Sequence, residues 1–212
     1  MEQARYIAIE GPIGVGKTSL AERLAEALRS PLLREVTEEN PFLAHFYADT
    51  QRYAFQTQLF FLLSRYRQQL DLAQLDLFQR GVVSDYFFQK DRIFAYVNLD
   101  EDELALYEEI YSLLRPRVPR PDLVVFLQAG TDVLLERIRS RRRGFERNIS
   151  SEYVERVNEA YNRFFFRYAE TPLLVVNTDS IDFVQRRQDF EDLVQEILRV
   201  RQGTHLYVPR SS

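Results

Sequence analysis

Short apolar runs alternate along the chain with longer amphipathic stretches, the pattern of successive parallel strand–helix–strand units. Apolar runs at 6–10, 32–36, 81–85, 123–127 and 173–176, each bounded by Gly, Pro or polar residues, predict five strands. Helical periodicity predicts helices over 17–29, 51–79, 101–114, 131–139, 150–168 and 182–201. No Gly or Pro interrupts 51–79, so that segment reads as one helix about 43 Å long. The stretch Arg115-Pro116-Arg117-Val118-Pro119-Arg120-Pro121 stops one helix and launches a strand as a stiff polar connection. The tail after residue 202 is expected to be loose. The fold class is α/β, a five-stranded parallel sheet flanked by helices, in a single domain over 1–212.

Composition narrows the function. With 212 residues, 45% hydrophobic and 28% charged, the chain suits one globular domain with a sizeable core. Its longest apolar runs, 59–63 and 123–127, fall far short of the roughly 20 residues a membrane span needs. Met1-Glu2-Gln3 lacks the basic start of a signal peptide, so a cytoplasmic protein without a membrane partner is expected. The absence of cysteine excludes disulfides, thiolate metal sites and Cys nucleophiles. A net charge of -4 argues against a nucleic acid polymer as partner. Anions must therefore be met locally. Only Lys17 and Lys90 are lysines, whereas six arginines crowd into 137–147.

The sharpest signal is Gly11-Pro12-Ile13-Gly14-Val15-Gly16-Lys17-Thr18, which satisfies the phosphate-loop pattern and lies between an apolar strand and an amphipathic helix. Glycines let successive backbone N–H groups turn toward a phosphate, and the helix N-terminus adds its positive dipole end. In this reading Lys17 bridges the β- and γ-phosphates of ATP, Thr18 holds Mg²⁺, and Ser19 completes the cradle.

Such a loop serves switches, motors and small-molecule kinases alike. A GTPase guanine reader of the Asn-Lys-x-Asp type is absent, and no Asp is followed three residues later by Gly. A nucleic-acid motor usually carries more chain and a positive track. Kinases of small metabolites close an arginine-rich lid over the transferring phosphoryl group, which needs its oxygens neutralised and water excluded. The arginines of 137–147 suit that role.

With these residues together, the sequence resembles the deoxynucleoside kinase family over nearly its whole length. The resemblance is strongest in the loop 11–19, the segment Leu33-Arg34-Glu35-Val36-Thr37-Glu38-Glu39-Asn40-Pro41-Phe42, the helix over 47–70 and the lid 137–146. It implies a P-loop kinase fold and phosphorylation of the 5′-hydroxyl of a deoxynucleoside, with ATP and Mg²⁺ as cofactors. A purine deoxynucleoside is slightly favoured. It also implies a homodimer.

Residue by residue, the resemblance makes Glu35 the base that takes the 5′-hydroxyl proton. Its position at the end of the second strand puts it on the carboxyl edge of a parallel sheet, beside the loop. Glu38 and Glu39 are rival carboxylates. Gln58 and Arg65 match the family's base-reading pair and, seven positions apart, share one helix face; Gln56 is the competing amide. Tyr47 and Glu146 match the pair that contacts the sugar 3′-hydroxyl, and Phe94 the aromatic that stacks on the base. In the lid, Arg137, Arg141 and Arg143 match the spaced catalytic arginines, leaving Arg139, Arg142 and Arg147 to solvent.

One departure stands out. At Val83-Ser84-Asp85-Tyr86 many relatives carry an acid followed by arginine, which is missing here. Asp85 is then either an acid beside Mg²⁺ or a replacement on the sugar side, and Ser84 takes the acid's place in an ungapped alignment. Lys90 and Asp91 stand where some relatives place a base-selecting aspartate. The runner-up readings are a thymidylate-type nucleoside monophosphate kinase and a non-catalytic nucleotide-binding regulator.

Overall fold

The computed structural model describes residues 5–36, 39–74, 81–141 and 149–209. Six strands form its sheet: β1 (Tyr6–Glu10), β2 (Leu32–Leu33), β3 (Val82–Ser84), β4 (Leu123–Gln128), β5 (Leu173–Asn177) and β6 (Thr204–Tyr207). All pairings are parallel, in the order β2-β3-β1-β4-β5-β6. The sheet thus has six strands where the apolar runs predict five. The added strand, β6, lies in the tail expected to be loose, with Thr204 to Tyr207 paired against Leu173 to Val176. Its side chains are mostly exposed, so an edge strand held by backbone bonds left no buried run to read. β2 is also shorter than its apolar run, and Glu35 lies just beyond it.

Eight helices accompany the strands among the described residues: α1 (Lys17–Leu28), α2 (Leu43–Ala48), α3 (Thr50–Gln74), α4 (Lys90–Asn98), α5 (Glu101–Leu114), α6 (Thr131–Arg141), α7 (Ser151–Phe166) and α8 (Arg187–Arg199). α2 and α4 are absent from the sequence reading. The end of the long expected helix, 75–79, falls outside the described residues. α5 starts with a reciprocal cap in which Asp100 accepts from the Glu103 N–H and the Glu103 carboxylate accepts from the Asp100 N–H.

β1 and β4 are buried on both faces, as strands of a helix-covered parallel sheet must be. Alternation along β1 divides the core: Ile7 and Ile9 pack with Leu20, Leu24, Leu193 and Ile197, whereas Tyr6 and Ala8 pack with Phe126, Tyr161 and Phe165. A third cluster joins α3, α4 and α5 through Leu62, Phe88, Ala95, Tyr107 and Tyr111. After β1 the chain builds β2 and β3 on one side, then crosses to β4 on the other. The carboxyl edge beside β1 is therefore the crevice where such sheets bind ligands.

Candidate active site

The loop between β1 and α1 is built for close backbone approach. Gly14 (φ +87) and Gly16 (φ +107) adopt left-handed conformations, and a Cβ on Gly14 would stand 2.8 Å from Ile138 Cγ1. Lys17 Nζ donates to the carbonyls of Gly11 at 2.6 Å and Pro12 at 3.1 Å, so its ammonium lies folded over the loop. Burial, aided by the neighbouring Lys90 ammonium, lowers Lys17 to about 8.

Beneath the loop, Glu10 is fully buried and accepts from the N–H groups of Gly11 (2.9 Å) and Phe87 (2.8 Å) and from the Tyr161 hydroxyl (3.0 Å). It pins the end of β1 to the segment after β3 and to α7. The sequence reading missed this residue; the sign available was an acid closing an otherwise apolar strand just before Gly11.

From the loop a cavity of about 430 Å³ runs between the sheet edge and α3. Ile13, Gly14, Gly16, Lys17 and Thr18 line one end; Tyr47, Gln58, Arg65 and Phe94 line the other, with Glu35 and Asp85 between. Gly11, Pro12, Val15 and Ser19 complete the same loop and the first turn of α1. The structure thereby brings together residues as far apart in the chain as Ile13 and Tyr153.

Asp85 stands just past the end of β3. Its Oδ2 accepts from the Thr18 hydroxyl at 2.8 Å and its Oδ1 from the Glu35 N–H at 2.6 Å. Ser84 instead turns its hydroxyl to the Tyr86 carbonyl at 2.7 Å, away from the loop. Thr18 and Asp85 offer one hydroxyl and one carboxylate, a small hard oxygen set that suits Mg²⁺, which keeps several waters and takes the rest of its ligands from phosphates. No cluster of three or more His or acidic side chains able to hold a metal occurs among the described residues.

Glu35 sits between two cations. Arg65 donates to Oε1, with Nε at 2.9 Å and Nη2 also in contact, and Lys90 Nζ donates to Oε2 at 2.8 Å. Burial alone would raise this carboxyl, but the two positive charges outweigh it and hold Glu35 well below the usual carboxylate range. Arg65 also donates through Nη1 to Asp91, which is fully buried and pushed up to about 7 by burial against the pull of Arg65. Asp91 does not line the cavity; it touches Arg65, and its charge also bears on Glu35 and Lys90.

α3 presents Gln58 and Arg65 on one face of the cavity, as their spacing predicts. Gln58 is buried, and its Oε1 is shut off from solvent and accepts no hydrogen bond among the described residues. The rival Gln56 is exposed, as is Glu39. Phe94 packs edge-on against Tyr161, centroids 5.9 Å apart, and Tyr47 edge-on against Phe46 at 5.4 Å.

Arg137 reaches the loop from α6: it donates to the Val15 carbonyl at 3.3 Å and to Thr178 Oγ1 (3.1 Å) and O (2.7 Å). It braces the phosphate loop against the end of β5 and does not line the cavity. Arg141 ends α6, its side chain outside the described residues. Glu38, Arg142, Arg143, Glu146 and Arg147 lie outside the described residues altogether.

A family model for deoxynucleoside kinase matches residues 7–200. The chain belongs to the deoxynucleoside kinase family. This deoxynucleoside kinase is 37% identical to the deoxyguanosine kinase of Bacillus subtilis (strain 168), covering 93% of this chain and 98% of that one. It is 35% identical to a deoxyadenosine kinase of Dictyostelium discoideum, covering 76% and 67% of the two chains. The solved structure of deoxyadenosine kinase from M. mycoides with bound dCTP superposes at a TM-score of 0.78, with 26% identity over 91% of this chain and 98% of that one. The kinase therefore shares the P-loop kinase fold of these enzymes. No helix among its described residues is long and apolar enough to cross a membrane.

Proposed function

We propose that the kinase transfers the γ-phosphoryl group of ATP, with Mg²⁺, to the 5′-hydroxyl of a purine deoxynucleoside, giving the 5′-monophosphate. One observation carries this reading: Glu35 lies in a single cavity between Lys17 and Thr18 of the phosphate loop and the Gln58–Arg65 face of α3. The purine preference is supported by the deoxyguanosine and deoxyadenosine kinases among the relatives.

In the transfer, the Glu35 carboxylate accepts the 5′-hydroxyl proton as the 5′-oxygen bonds to the γ-phosphorus. The bond from that phosphorus to the bridging oxygen breaks, and its electron pair leaves on ADP. A carboxylate held below its usual range is a weak base, which suits a loose transition state where the nucleophile contributes little and the proton moves late. Mg²⁺, held by Thr18 and Asp85, would neutralise charge on the β- and γ-phosphates. Lys17 serves the same phosphates, exchanging the Gly11 and Pro12 carbonyls for phosphate oxygens. Arg137 keeps the loop in place, and Arg141 and Arg143 supply lid charge. Tyr47 and Glu146 hold the sugar, and Phe94 stacks on the base. In the same reading the protein works as one domain in the cytoplasm and as a homodimer, the latter supported by the family resemblance.

The test is a panel of deoxyguanosine, deoxyadenosine, deoxycytidine, thymidine and thymidine monophosphate with MgATP, each product identified by its phosphate position. The expected result is 5′-monophosphate with kcat/KM highest for a purine. Preferential phosphorylation of thymidine monophosphate would favour the monophosphate-kinase reading instead, and ATP binding without turnover would favour a regulator.

A further inference from the structure

Lys90 is one of two lysines in the chain, and the fold pays an unusual cost to place it. It is only 4% exposed, in a protein whose cationic side chains are nearly all arginine. It is also the first residue of α4, the end of a helix where the dipole disfavours positive charge. Burial and position both work against an ammonium there, so stability of the helix does not account for it.

Its surroundings do. Nζ lies 2.8 Å from Glu35 Oε2 and 3.9 Å from Glu10 Oε1, and 5.9 Å from the centre of the Phe94 ring. The two oxygens of Glu35 are thus divided: Oε1 belongs to Arg65 and Oε2 to Lys90. Arg65 is shared with Asp91, so the charge it spends on Glu35 is partly cancelled. Lys90 also lines the cavity itself, as does Phe94 one turn further along α4. With Glu10, Glu35 and Asp91 gathered here against Arg65 and Lys90, loss of Lys90 would leave the surroundings of Glu35 with one more net negative charge.

We propose that Lys90 is a positioning residue for phosphoryl transfer: its ammonium fixes the Glu35 carboxylate by Oε2 in the orientation that meets the 5′-hydroxyl, and offsets the acids that surround the reacting groups. The proposal rests on the function proposed above. Because it acts through geometry and local charge and not through ATP affinity, its loss falls on kcat.

The experiment compares the full-length wild type with Lys90→Met, Lys90→Arg and Lys90→Ala in steady-state kinetics with MgATP and the best deoxynucleoside of the panel. Lys90→Met is expected to lower kcat about 10²-fold while the KM for ATP changes by less than about threefold. Lys90→Arg, which keeps the charge, should recover most of that loss. Added ethylammonium should raise the kcat of Lys90→Ala, and ethanol, its neutral isostere, should not. A Lys90→Met kcat within about threefold of wild type overturns the proposal. So does a Lys90→Arg rate no better than that of Lys90→Met, or rescue of Lys90→Ala by ethanol equal to that by ethylammonium, since either reports a space-filling role. If Lys90→Met and Lys90→Ala do not fold, as melting would show, the rate of Lys90→Arg decides, activity within about tenfold of wild type supporting the role and inactivity overturning it. A wild type inert toward every nucleoside defeats the function proposal, whereas an active wild type with an indifferent Lys90 defeats this one alone.

Discussion

Thr18 donates its hydroxyl to Asp85 across 2.8 Å, joining the first turn of α1 to the carboxyl end of β3. The second oxygen of Asp85 accepts the Glu35 N–H, so a single carboxylate connects the phosphate loop to the segment that carries Glu35.

Replacing Asp85 by Asn removes the negative charge and keeps the size. If Asp85 serves Mg²⁺, the variant should need about tenfold more Mg²⁺ for half-maximal rate, and added Mg²⁺ should restore part of the lost activity. A Mg²⁺ titration at saturating nucleoside checks this. A deficit that ignores Mg²⁺, together with a raised nucleoside KM, would assign Asp85 to the sugar side.

Lys17 supplies a pH signature. Burial and Lys90 hold its free ammonium at about 8, while bound phosphates favour the charged form and raise it. Above that pH the empty site has lost a proton that the ATP complex retains, so binding takes one up. ATP affinity should fall as pH rises through 8, by up to about tenfold per unit. Calorimetry at pH above this value in buffers of different ionisation heat should report proton uptake; none would count against the assignment.

Gln58 lines the part of the cavity where the proposed function places the base. Gln58→Leu fills similar space without the amide, so it should raise the deoxynucleoside KM about 10- to 100-fold and leave the KM for ATP nearly unchanged. Equal effects on both substrates would place the residue in the fold and not in recognition.

Legibility from sequence tracked the range of the interactions. The phosphate loop was readable because its glycine spacing and its strand and helix flanks are local. Gln58 and Arg65 were readable because helical periodicity alone puts them on one face. β6 was not, since an exposed edge strand buries little and shows no alternation. α4 was hidden because it begins with the charged Lys90-Asp91, whose reason for burial is Glu35 and Arg65 far away in the chain. For the same reason the Lys90–Glu35 contact, spanning 55 positions, left no mark that spacing could reveal. The double tether of Asp85 likewise exists only once β3 lies beside β1.

In the proposed transfer Glu35 takes the proton of the attacking hydroxyl, and Glu35→Gln removes that capacity alone. The amide keeps the shape and can still face Arg65 and Lys90, but it cannot accept that proton. With saturating MgATP and deoxynucleoside, kcat should fall about 10²- to 10⁴-fold while ATP binding by calorimetry changes little. A folded Glu35→Gln enzyme whose kcat stays within about threefold of wild type would contradict the account.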